Sequence, residues 1–248
     1  MSWPAGYGRR VLAEVDSTNA EAARLAGSLA GPEWILALRQ NAARGRRGRP
    51  WANPAGNFSG TLVLMPTEPP AVVALRSFVA SLALFDAFVA VTGRAAGLSL
   101  KWPNDVLLNG GKVAGILLES LGQRAGVAHL AIGIGINLAE APGAGEVEPG
   151  ALRPVSLLSE VGVRVTPEEM LDALATAYAA HEARFVTYGF APIREAWLAR
   201  AARLGEVITA RTGTAETTGT FETVDAAGNL VLKTPGGRQA IAAADVFF

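Results

Sequence analysis

The chain of 248 residues contains no cysteine and only two histidines, His129 and His181. The absence of cysteine excludes disulfide bonds, thiolate zinc sites and cysteine nucleophiles. The two histidines lie far apart and neither has a motif around it, so we expect no histidine zinc site and no Ser-His-Asp triad. Any catalysis must therefore depend on other polar side chains.

Charged residues are also scarce, and the two signs balance. They make up 18% of the chain, with 22 Lys and Arg against 22 Asp and Glu, whereas soluble domains average roughly 25% charged residues. Half of the residues are hydrophobic, which predicts a well-filled core rather than a disordered chain. Proteins that depend on nonspecific nucleic-acid affinity usually carry a basic excess, which this chain lacks.

The sequence also lacks a long uninterrupted apolar run. Its most apolar stretch, residues 71–91, contains Arg76 and Asp86, which leave nine residues between charges, and a membrane span needs about 20 apolar residues. We therefore predict a buried core helix over about 71–92 and no membrane partner. The N-terminus has no basic region followed by an apolar segment, so we expect no signal peptide and a cytoplasmic protein.

The pattern of apolar residues predicts an α+β domain over residues 1–203 and a small β domain over 204–248. After Leu204 only short alternating segments occur, and no helix fits them. The predicted strands of the first domain are 11–15, 34–40, 57–65, 98–102, 112–120 and 127–138. The predicted helices begin at about residues 18, 71, 167 and 191.

Three local features refine this prediction. Thr18 and Glu21 form a T-x-x-E pattern, which predicts a capping box at the start of the first helix. The NGG run at 109–111 predicts the turn of a hairpin spanning 98–120. Residues 139–150 are rich in Gly, Pro and Glu, which indicates a surface loop.

The stretch ARGRRGRPW places four arginines within six residues, separated by Gly45 and Gly48. Glycine allows a mobile loop, and the guanidinium fork suits carboxylate and phosphate oxygens. The pattern is consistent with a loop that encloses a small anion. On this stretch alone, a solvated loop, an RNA-binding patch and a protease-sensitive site remain alternatives.

The segment KWPNDVLLNGGKVAGILLE gathers polar residues near a strand end, among them Lys101, Asn104 and Asp105. Lys112 could place a point charge on a phosphate or carboxylate, and Gly115 would let a ligand approach the backbone. No Walker A pattern surrounds Lys112, so a nucleotide would be held differently. A hairpin with a solvated lysine is the alternative.

The run IGIGINL alternates glycine with isoleucine and ends in Asn137. Gly133 and Gly135 would bare one face of a strand, so that a flat group could lie against it. Asn137 could offer its amide to a base or a phosphate. A core strand softened by glycine is the alternative.

In their order, DSTN, Q-x3-RGRRGR-x-W, KWPND, GKVAGILLE and GIGIN strongly resemble the biotin protein ligases, also called biotin–acetyl-CoA-carboxylase ligases. The resemblance covers nearly the whole chain. It implies a class II synthetase-like biotin/lipoate ligase catalytic domain, with a mixed sheet and packed helices, followed by an SH3-like β-barrel. The ligases that attach lipoate share the fold class but, as a family, not this run of motifs.

The resemblance implies a reaction in two steps. Biotin reacts with ATP, with Mg²⁺ as the metal, to give biotinyl-5′-AMP and pyrophosphate. A lysine of a biotin carboxyl carrier protein domain then attacks this mixed anhydride and releases AMP. Two anions that repel each other must be brought together, which calls for fixed cationic donors on both.

The resemblance also implies residue roles. Lys112 would bridge the biotin carboxylate and the α-phosphate, and Asp105 would take the proton of the incoming lysine or organise Mg²⁺; other metal ligands are not identified. The implied catalytic residues are Lys112, Arg46 and Asp105. The implied biotin-binding residues are Ser17, Thr18, Asn19, Gln40, Arg44, Gly45, Arg46, Lys112 and Gly115. The implied ATP-binding residues are Arg46, Arg49, Asn104, Lys112 and Asn137.

Some members of this family carry an N-terminal winged helix-turn-helix that binds DNA. Here DSTN begins at Asp16, so we expect no such domain and no DNA binding. A homodimer is consistent with the resemblance. Two other functions stay open at this point: a lipoate-type acyl-adenylate ligase, and a non-catalytic nucleic-acid-binding protein that uses the arginine loop and the C-terminal barrel.

Overall fold

The computed structural model describes residues 2–122, 127–143, 152–213 and 215–248. Its helices are α1 Thr18–Leu25, α2 Pro70–Val73, α3 Arg76–Thr92, α4 Leu157–Val161, α5 Pro167–Tyr188 and α6 Phe190–Leu198. Its strands are β1 Gly8–Leu12, β2 Glu33–Ala37, β3 Phe58–Leu64, β4 Leu98–Lys101, β5 Asp105–Leu108, β6 Gly111–Leu121, β7 His129–Ile136, β8 Val207–Arg211, β9 Glu216–Val224, β10 Leu230–Thr234, β11 Gly237–Ile241 and β12 Asp245–Phe247.

The first seven strands form one mixed sheet in the order β1-β2-β3-β7-β6-β5-β4. Only β1 and β2 pair in parallel, and every other neighbouring pair is antiparallel. The predicted mixed sheet with packed helices is confirmed.

The two faces of this sheet differ because alternate residues of a strand point to opposite sides. Leu62, Ile132 and Ile134 point to one face, where they belong to the large hydrophobic core that also contains α3 and α5. On the other face, α1 covers only a small cluster that includes Ile35 and Val63. This second face is therefore open to polar side chains.

The long apolar segment is a core helix, as predicted. The stretch Pro70–Thr92 is long and apolar enough to cross a membrane by composition, but 72% of its most apolar window is buried inside the fold. It consists of α2 and α3, and Gly93 ends α3 in the left-handed region at φ 73°, a common helix terminator.

The predicted capping box at Thr18 is wrong. Ser17 is the N-cap of α1 and makes no side-chain cap bond, while Thr18 is already helical. The Thr18 amide and hydroxyl both lie within hydrogen-bond distance of Gln40 Oε1, at 2.7 Å and 3.2 Å. Glu21 pairs with Arg24. A tertiary partner thus replaces the local one that the sequence pattern suggested.

The predicted hairpin over 98–120 contains a strand that the sequence pattern did not reveal. The Asn109-Gly110 turn joins β5 to β6 rather than β4 to β6, with both residues at positive φ (49° and 78°), as two-residue hairpin turns require. The short β5 begins at Asp105, directly after the turn from β4. This extra strand sets Asp105 beside Gly115 of β6.

Other boundaries also differ from prediction. The first strand is β1 and ends at Leu12, while Val15 forms only an isolated bridge with Gln40. The first helix ends at Leu25, and the last predicted one ends at Leu198 rather than 204. Residues 144–150 of the predicted surface loop lie outside the described residues.

The last five strands form a second, fully antiparallel sheet in the order β11-β10-β9-β8-β12. This agrees with the predicted SH3-like C-terminal fold, although the last predicted segment contains two strands. The boundary between residues 203 and 204 stays a prediction. The core is continuous across it, since Trp197 of α6 contacts both Phe78 of α3 and Phe221 of β9, with centroids 5.3 Å and 6.5 Å apart.

Replacing Trp197 tests this shared core. Trp197 is 1% exposed, so Trp197→Ala should lower the free energy of unfolding by about 3–5 kcal/mol. The control Tyr188→Ala removes an aromatic ring that is 72% exposed and should change it by less than about 0.5 kcal/mol. Urea unfolding followed by circular dichroism measures both, and equal losses would contradict a core shared by the two sheets.

Candidate active site

A strip of glycines crosses the face of the first sheet that α1 partly covers. Gly133 and Gly135 of β7 point to this face, and Gly115 of β6 pairs directly with Gly135. A β-carbon on Gly133 would collide with Asn19, and one on Gly135 would lie 2.5 Å from the Trp51 ring. The predicted bare strand face is therefore present, and larger residues at these glycines would displace the side chains above them.

A polar cluster lies at one end of the glycine strip. Its side chains include both hydrogen-bond donors and hydrogen-bond acceptors. They come from α1, β3, β6 and the segment after β2. They are Thr18, Asn19, Gln40, Arg44, Thr61 and Glu119.

Thr61 is the centre of the polar cluster. Its hydroxyl is buried and lies 2.8 Å from the Thr18 hydroxyl and 2.6 Å from Asn19 Oδ1. Thr18 in turn contacts Gln40. This chain fixes two residues of the predicted biotin pocket against the sheet, and it explains why a threonine occurs inside a buried strand.

Glu119 links the polar cluster to the arginine loop. Its carboxylate accepts a 2.6 Å bond from Asn19 Nδ2 and lies 3.3 Å from Arg44 Nη2. The neighbouring Ser17 is 5% exposed, and its amide donates to Asp16. Five of the seven biotin-site residues implied between Ser17 and Arg46 therefore lie in or next to this cluster, namely Ser17, Thr18, Asn19, Gln40 and Arg44.

A cationic cluster lies beyond the other end of the glycine strip. Lys112 Nζ lies 2.7 Å from Asp105 Oδ1, and Lys101 Nζ lies 3.8 Å from Asp105 Oδ2. Arg46 Nη1 donates to Asn104 Oδ1 at 3.4 Å. The cluster consists of Lys101, Lys112, Arg46, Asp105 and Asn104.

Backbone contacts fix the two ends of this cluster. The Lys112 amide donates to Arg153 O, and its carbonyl accepts from Val155. Asn104 is held by a 2.6 Å bond from its side chain to Ile116 O. Lys112 therefore projects from a braced strand start rather than from a free turn.

The charges of the cluster do not balance. Burial alone would raise the pKa of Asp105, but Lys112 and Lys101 beside it lower that pKa overall, so its carboxylate stays ionised. Burial lowers the pKa of Lys101 and of Arg46. Lys101, Lys112 and Arg46 thus face the Asp105 carboxylate, and Arg46 has a second acidic neighbour, Asp245, at 3.9 Å. The cations still outnumber the carboxylates in this partly buried place, which favours an incoming anion.

Trp51 lies between the two clusters. A β-carbon on Gly115 would be 3.2 Å from its ring, and Lys112 Nζ is 5.5 Å from the ring centroid. The indole thus covers the glycine strip next to the cationic cluster. The distance from Gly133 to Gly135 along the strand is about 7 Å, so both clusters are within reach of one small ligand.

The arginine loop is a short hairpin. Gly45 N donates to Arg49 O at 2.7 Å, and Trp51 N donates to Ala43 O at 3.0 Å. At its tip Arg47 and Gly48 have positive φ (58° and 73°). Gly45 is extended, so of the two glycines in this loop only Gly48 uses the conformational freedom that the sequence pattern suggested.

Each arginine of this hairpin contacts an acidic side chain. Arg44 pairs with Glu119, while Arg46, Arg47 and Arg49 all lie within 4.0 Å of Asp245 in the C-terminal sheet. The hairpin therefore folds against the protein and is not an outward basic patch. That arrangement argues against the RNA-binding interpretation.

Asn137 stands apart from the other predicted ATP-site residues. It follows Gly135 on the same face, but it is 2% exposed and its Nδ2 donates to Val155 O. Among the residues that the structure describes, its buried Oδ1 has no hydrogen-bond partner, so this oxygen could accept a hydrogen bond from another group.

Sequence reasoning missed four residues that complete the site. Thr61 and Glu119 are polar residues inside apolar strands, a signal that could have revealed them. Trp51 ends the arginine motif, but the motif implies no role for it. Asp245 carries no signal in the sequence, because its contact depends on how the second sheet docks on the first.

Comparison with known proteins agrees with this geometry. The biotin/lipoate A/B protein ligase family model matches residues 11–137, and the biotin protein ligase C-terminal domain model matches residues 204–248. The chain is 63% identical to a biotin–[acetyl-CoA-carboxylase] ligase of Paracoccus denitrificans, over 96% of this chain and 99% of that protein. The chain therefore belongs to the biotin/lipoate A/B protein ligase family and, within it, to the biotin protein ligases.

Two further relatives place the chain in this family. It is 31% identical to the bifunctional ligase/repressor BirA of Bacillus subtilis, over 94% of this chain and 71% of that protein. The structure of a biotin protein ligase from Aquifex aeolicus in complex with biotin and ATP superposes with a TM-score of 0.84 at 26% identity, covering 96% of this chain and 98% of that one. The fold and the arrangement of the two sheets are thus shared.

Thr61→Val tests the centre of the polar cluster, because valine keeps the shape but removes the hydroxyl. Two buried partners, Thr18 and Asn19, then lose a bond, and the free energy of unfolding should fall by about 1–3 kcal/mol. The control Thr218→Val removes one hydroxyl of an exposed Thr209–Thr218 contact of 2.8 Å and should cost less than about 0.5 kcal/mol. Chemical denaturation compares the two, and equal costs would refute the central role of Thr61.

Asp105→Asn should destabilise the protein in a pH-dependent manner. The folded-state pKa of Asp105 is lowered, so its carboxylate stabilises the fold above the unfolded pKa of about 4 and loses this effect as the pH falls through the folded value. The variant should lose about 1–3 kcal/mol at pH 7, and the loss should shrink below about pH 4. Urea unfolding from pH 7 to pH 3 measures it; a loss that does not vary with pH would contradict this origin.

Proposed function

We propose that the chain is an ATP-dependent ligase that activates biotin as biotinyl-5′-AMP and transfers it to a lysine of a biotin carboxyl carrier protein domain. The observation that carries this proposal is the placement of the polar and cationic clusters on one glycine-lined sheet face. A ligand with a neutral polar head and an anionic tail matches that arrangement. Biotin has this form, with a ureido ring at one end and a carboxylate at the other.

The polar cluster suits the ureido ring. The ring carries a carbonyl that accepts hydrogen bonds and two N–H groups that donate them. Thr18, Asn19 and Gln40 offer both donors and acceptors within one buried group. Buried polar groups of this kind discriminate strongly, because a ligand without matching groups leaves them unpaired.

The cationic cluster suits the carboxylate and the phosphates of ATP. Lys112 lies next to the glycine strip, where it would contact the biotin carboxylate and the α-phosphate together. Arg46 and Asn104 lie on its far side and would contact the phosphates. Fixed donors aimed at the reacting oxygens stabilise the charge that develops between them.

In the first step a biotin carboxylate oxygen attacks the α-phosphorus, a P–O bond forms and pyrophosphate leaves with the electrons of the broken bond. In the second step the carrier lysine amine attacks the carbonyl carbon of the mixed anhydride. The C–N bond forms, AMP leaves and the amine loses one proton. Trp51 and the arginine hairpin would limit the access of water to the anhydride between the steps.

Asp105 is better suited to hold Lys112 than to accept a proton. A carboxylate with a lowered pKa is a weak base, and Asp105 pairs with both Lys112 and Lys101. We therefore assign Asp105 the task of holding both lysine side chains in place. Of the two roles left open by the sequence, base or organising residue, this favours the second.

Mg²⁺ is proposed as the metal that accompanies ATP. Among residues 2–122, 127–143, 152–213 and 215–248, no group of three or more acidic or histidine side chains could hold a metal ion. The side chains at the site are mainly cationic hydrogen-bond donors, which suit phosphate oxygens and not a metal ion. The metal would therefore be held largely by the nucleotide. Asp105 is the acidic residue within the cationic cluster that could contribute.

The carrier partner is proposed from the name of the Paracoccus denitrificans relative, which acts on acetyl-CoA carboxylase. A cytoplasmic location fits such a partner. A homodimer is proposed through β1, which ends the first sheet and carries Val11 at 43% exposure. An exposed strand edge of this kind is a ready template for pairing.

Biotin-dependent ATP–pyrophosphate exchange tests the first step. The wild-type chain with Mg²⁺ should exchange with biotin and not with lipoate. Lys112→Ala should lower kcat/KM by at least about 100-fold, since it removes a charge at the reacting oxygens. The matched control Lys233→Ala changes an exposed lysine of β10 and should leave exchange near wild type.

Other outcomes have definite meanings. Exchange with lipoate alone would keep the adenylating fold but change the substrate. Folded protein that exchanges with neither acid would remove the ligase proposal. Labelling of a biotin carboxyl carrier domain, followed by mass spectrometry, then tests the second step.

A further inference from the structure

Asp245 belongs to β12 of the C-terminal sheet, yet its carboxylate contacts three arginines of the first domain. Oδ2 lies 2.7 Å from Arg47 Nη1 and 3.2 Å from Arg49 Nη2, and Oδ1 lies 3.9 Å from Arg46 Nη1. The Asp245 side chain is only 22% exposed. One partly buried carboxylate is therefore shared by three cations that are far from it in sequence.

The contact falls where the arginine hairpin needs support. The base of the hairpin is closed by its own backbone bonds, from Gly45 to Arg49 and from Trp51 to Ala43. At the tip Arg47 has φ 58°, a conformation that residues with a side chain seldom adopt. The ion pair with Asp245 holds that residue from outside the hairpin.

The contact with Asp245 also offsets charge repulsion within the arginine hairpin. Burial foremost, and Arg47 and Arg49 after it, lower the pKa of Arg46, whereas Asp245 and Asp105 act in the opposite direction. Three guanidinium groups confined to one short hairpin repel each other unless an anion lies among them. In the structure Asp245 supplies that anion from the second sheet.

Arg46 connects this contact to the cationic cluster. Its Nη1 faces Asp245 on one side and donates to Asn104 Oδ1 on the other. Asn104 directly precedes Asp105, the partner of Lys112. The C-terminal sheet is thus linked through Arg46 to the lysine beside the glycine strip.

We propose that Asp245 is a positioning residue of the adenylation step: its carboxylate holds the arginine hairpin, and with it Arg46, in place before ATP binds, and then yields the guanidinium groups to the phosphates. A triphosphate carries several negative charges against one on Asp245, so it can replace the carboxylate as partner. Ordering the hairpin in advance reduces the cost of ordering it on binding. This role rests on the proposed function, because ATP is the substrate concerned.

The first test needs no substrate. Trypsin cleaves after Arg44, Arg46 and Arg47 only when the hairpin opens, and Arg49 is protected by Pro50. Asp245→Asn should raise the rate of these cleavages about three- to tenfold, the range expected for losing a few partly exposed ion pairs. Asp245→Glu, which keeps the charge, should stay closer to wild type. The cleaved peptides are quantified by mass spectrometry.

The matched control is Glu222→Gln, which breaks an ion pair with Arg238 of 2.6 Å in the same sheet, away from the hairpin. It should leave hairpin cleavage at the wild-type rate.

In the exchange assay Asp245→Asn should raise the KM for ATP by a similar three- to tenfold, with kcat changed less than about twofold. Glu222→Gln should change neither.

Three results would overturn the role of Asp245. The first is unchanged hairpin cleavage in Asp245→Asn. The second is a lower KM for ATP in this variant, because the carboxylate would then compete with the phosphates for the arginines. The third is an equal effect of Glu222→Gln, which would indicate a general disturbance of the sheet. Absence of exchange in the wild-type protein would refute the proposed function instead. The trypsin comparison would then still decide whether Asp245 holds the hairpin.

Discussion

The ion pair between Lys112 and Asp105, 2.7 Å long, is the interaction on which the site depends. The Asp105 side chain is 13% exposed and that of Lys112 is 30% exposed, and a carboxylate withdrawn from water in this way needs an opposite charge beside it. Asp105 is the first residue of β5 and lies in register with Gly115 of β6. The short strand that was not predicted from the sequence is therefore what brings the anion to Lys112. Lys101 then shares the same carboxylate.

The remainder of the site follows from the unequal faces of the first sheet. Isoleucines of β7 fill the core on one side, while the intervening glycines leave the other side bare. Polar side chains can approach such a face only if they satisfy one another, because an unpaired buried polar group is costly. The polar cluster around Thr61 meets this condition through hydrogen bonds, and in the cationic cluster the charges of Lys112 and Lys101 lie against the Asp105 carboxylate. The same strand alternation thus provides an apolar core on one face and a place for polar side chains on the other.

Features of the fold that produce a local pattern of residues could be predicted from the sequence. The glycine face of β7, the core helix over 71–92 and the strands after residue 204 follow from periodicity and are present in the structure. Thr18 shows the limit: its local pattern predicted a helix cap, but Gln40, 22 residues away, takes the hydrogen bonds. The strand β5 was not predicted because a turn signal follows Lys101 directly. The contacts of Asp245 were not predicted because the docking of one sheet on another leaves no periodic signal in the sequence. Residue roles at the site came from motif resemblance, and they stay predictions.

The two kinds of ion pair at the site suit different tasks. Asp105 is 13% exposed and bound by two lysines, and breaking such a buried pair is costly. In the pairs of the arginine hairpin the arginines are 28% to 48% exposed, and their partners Glu119 and Asp245 are 29% and 22% exposed. Partly exposed pairs of that kind contribute only about 0–1 kcal/mol each. The hairpin can therefore exchange Glu119 and Asp245 for other anions at little cost, whereas Lys112 keeps its partner. Lys112 thus stays in place while the hairpin arginines exchange one anionic partner for another. The hairpin can then bind and release a ligand without moving Lys112 away from the reacting atoms.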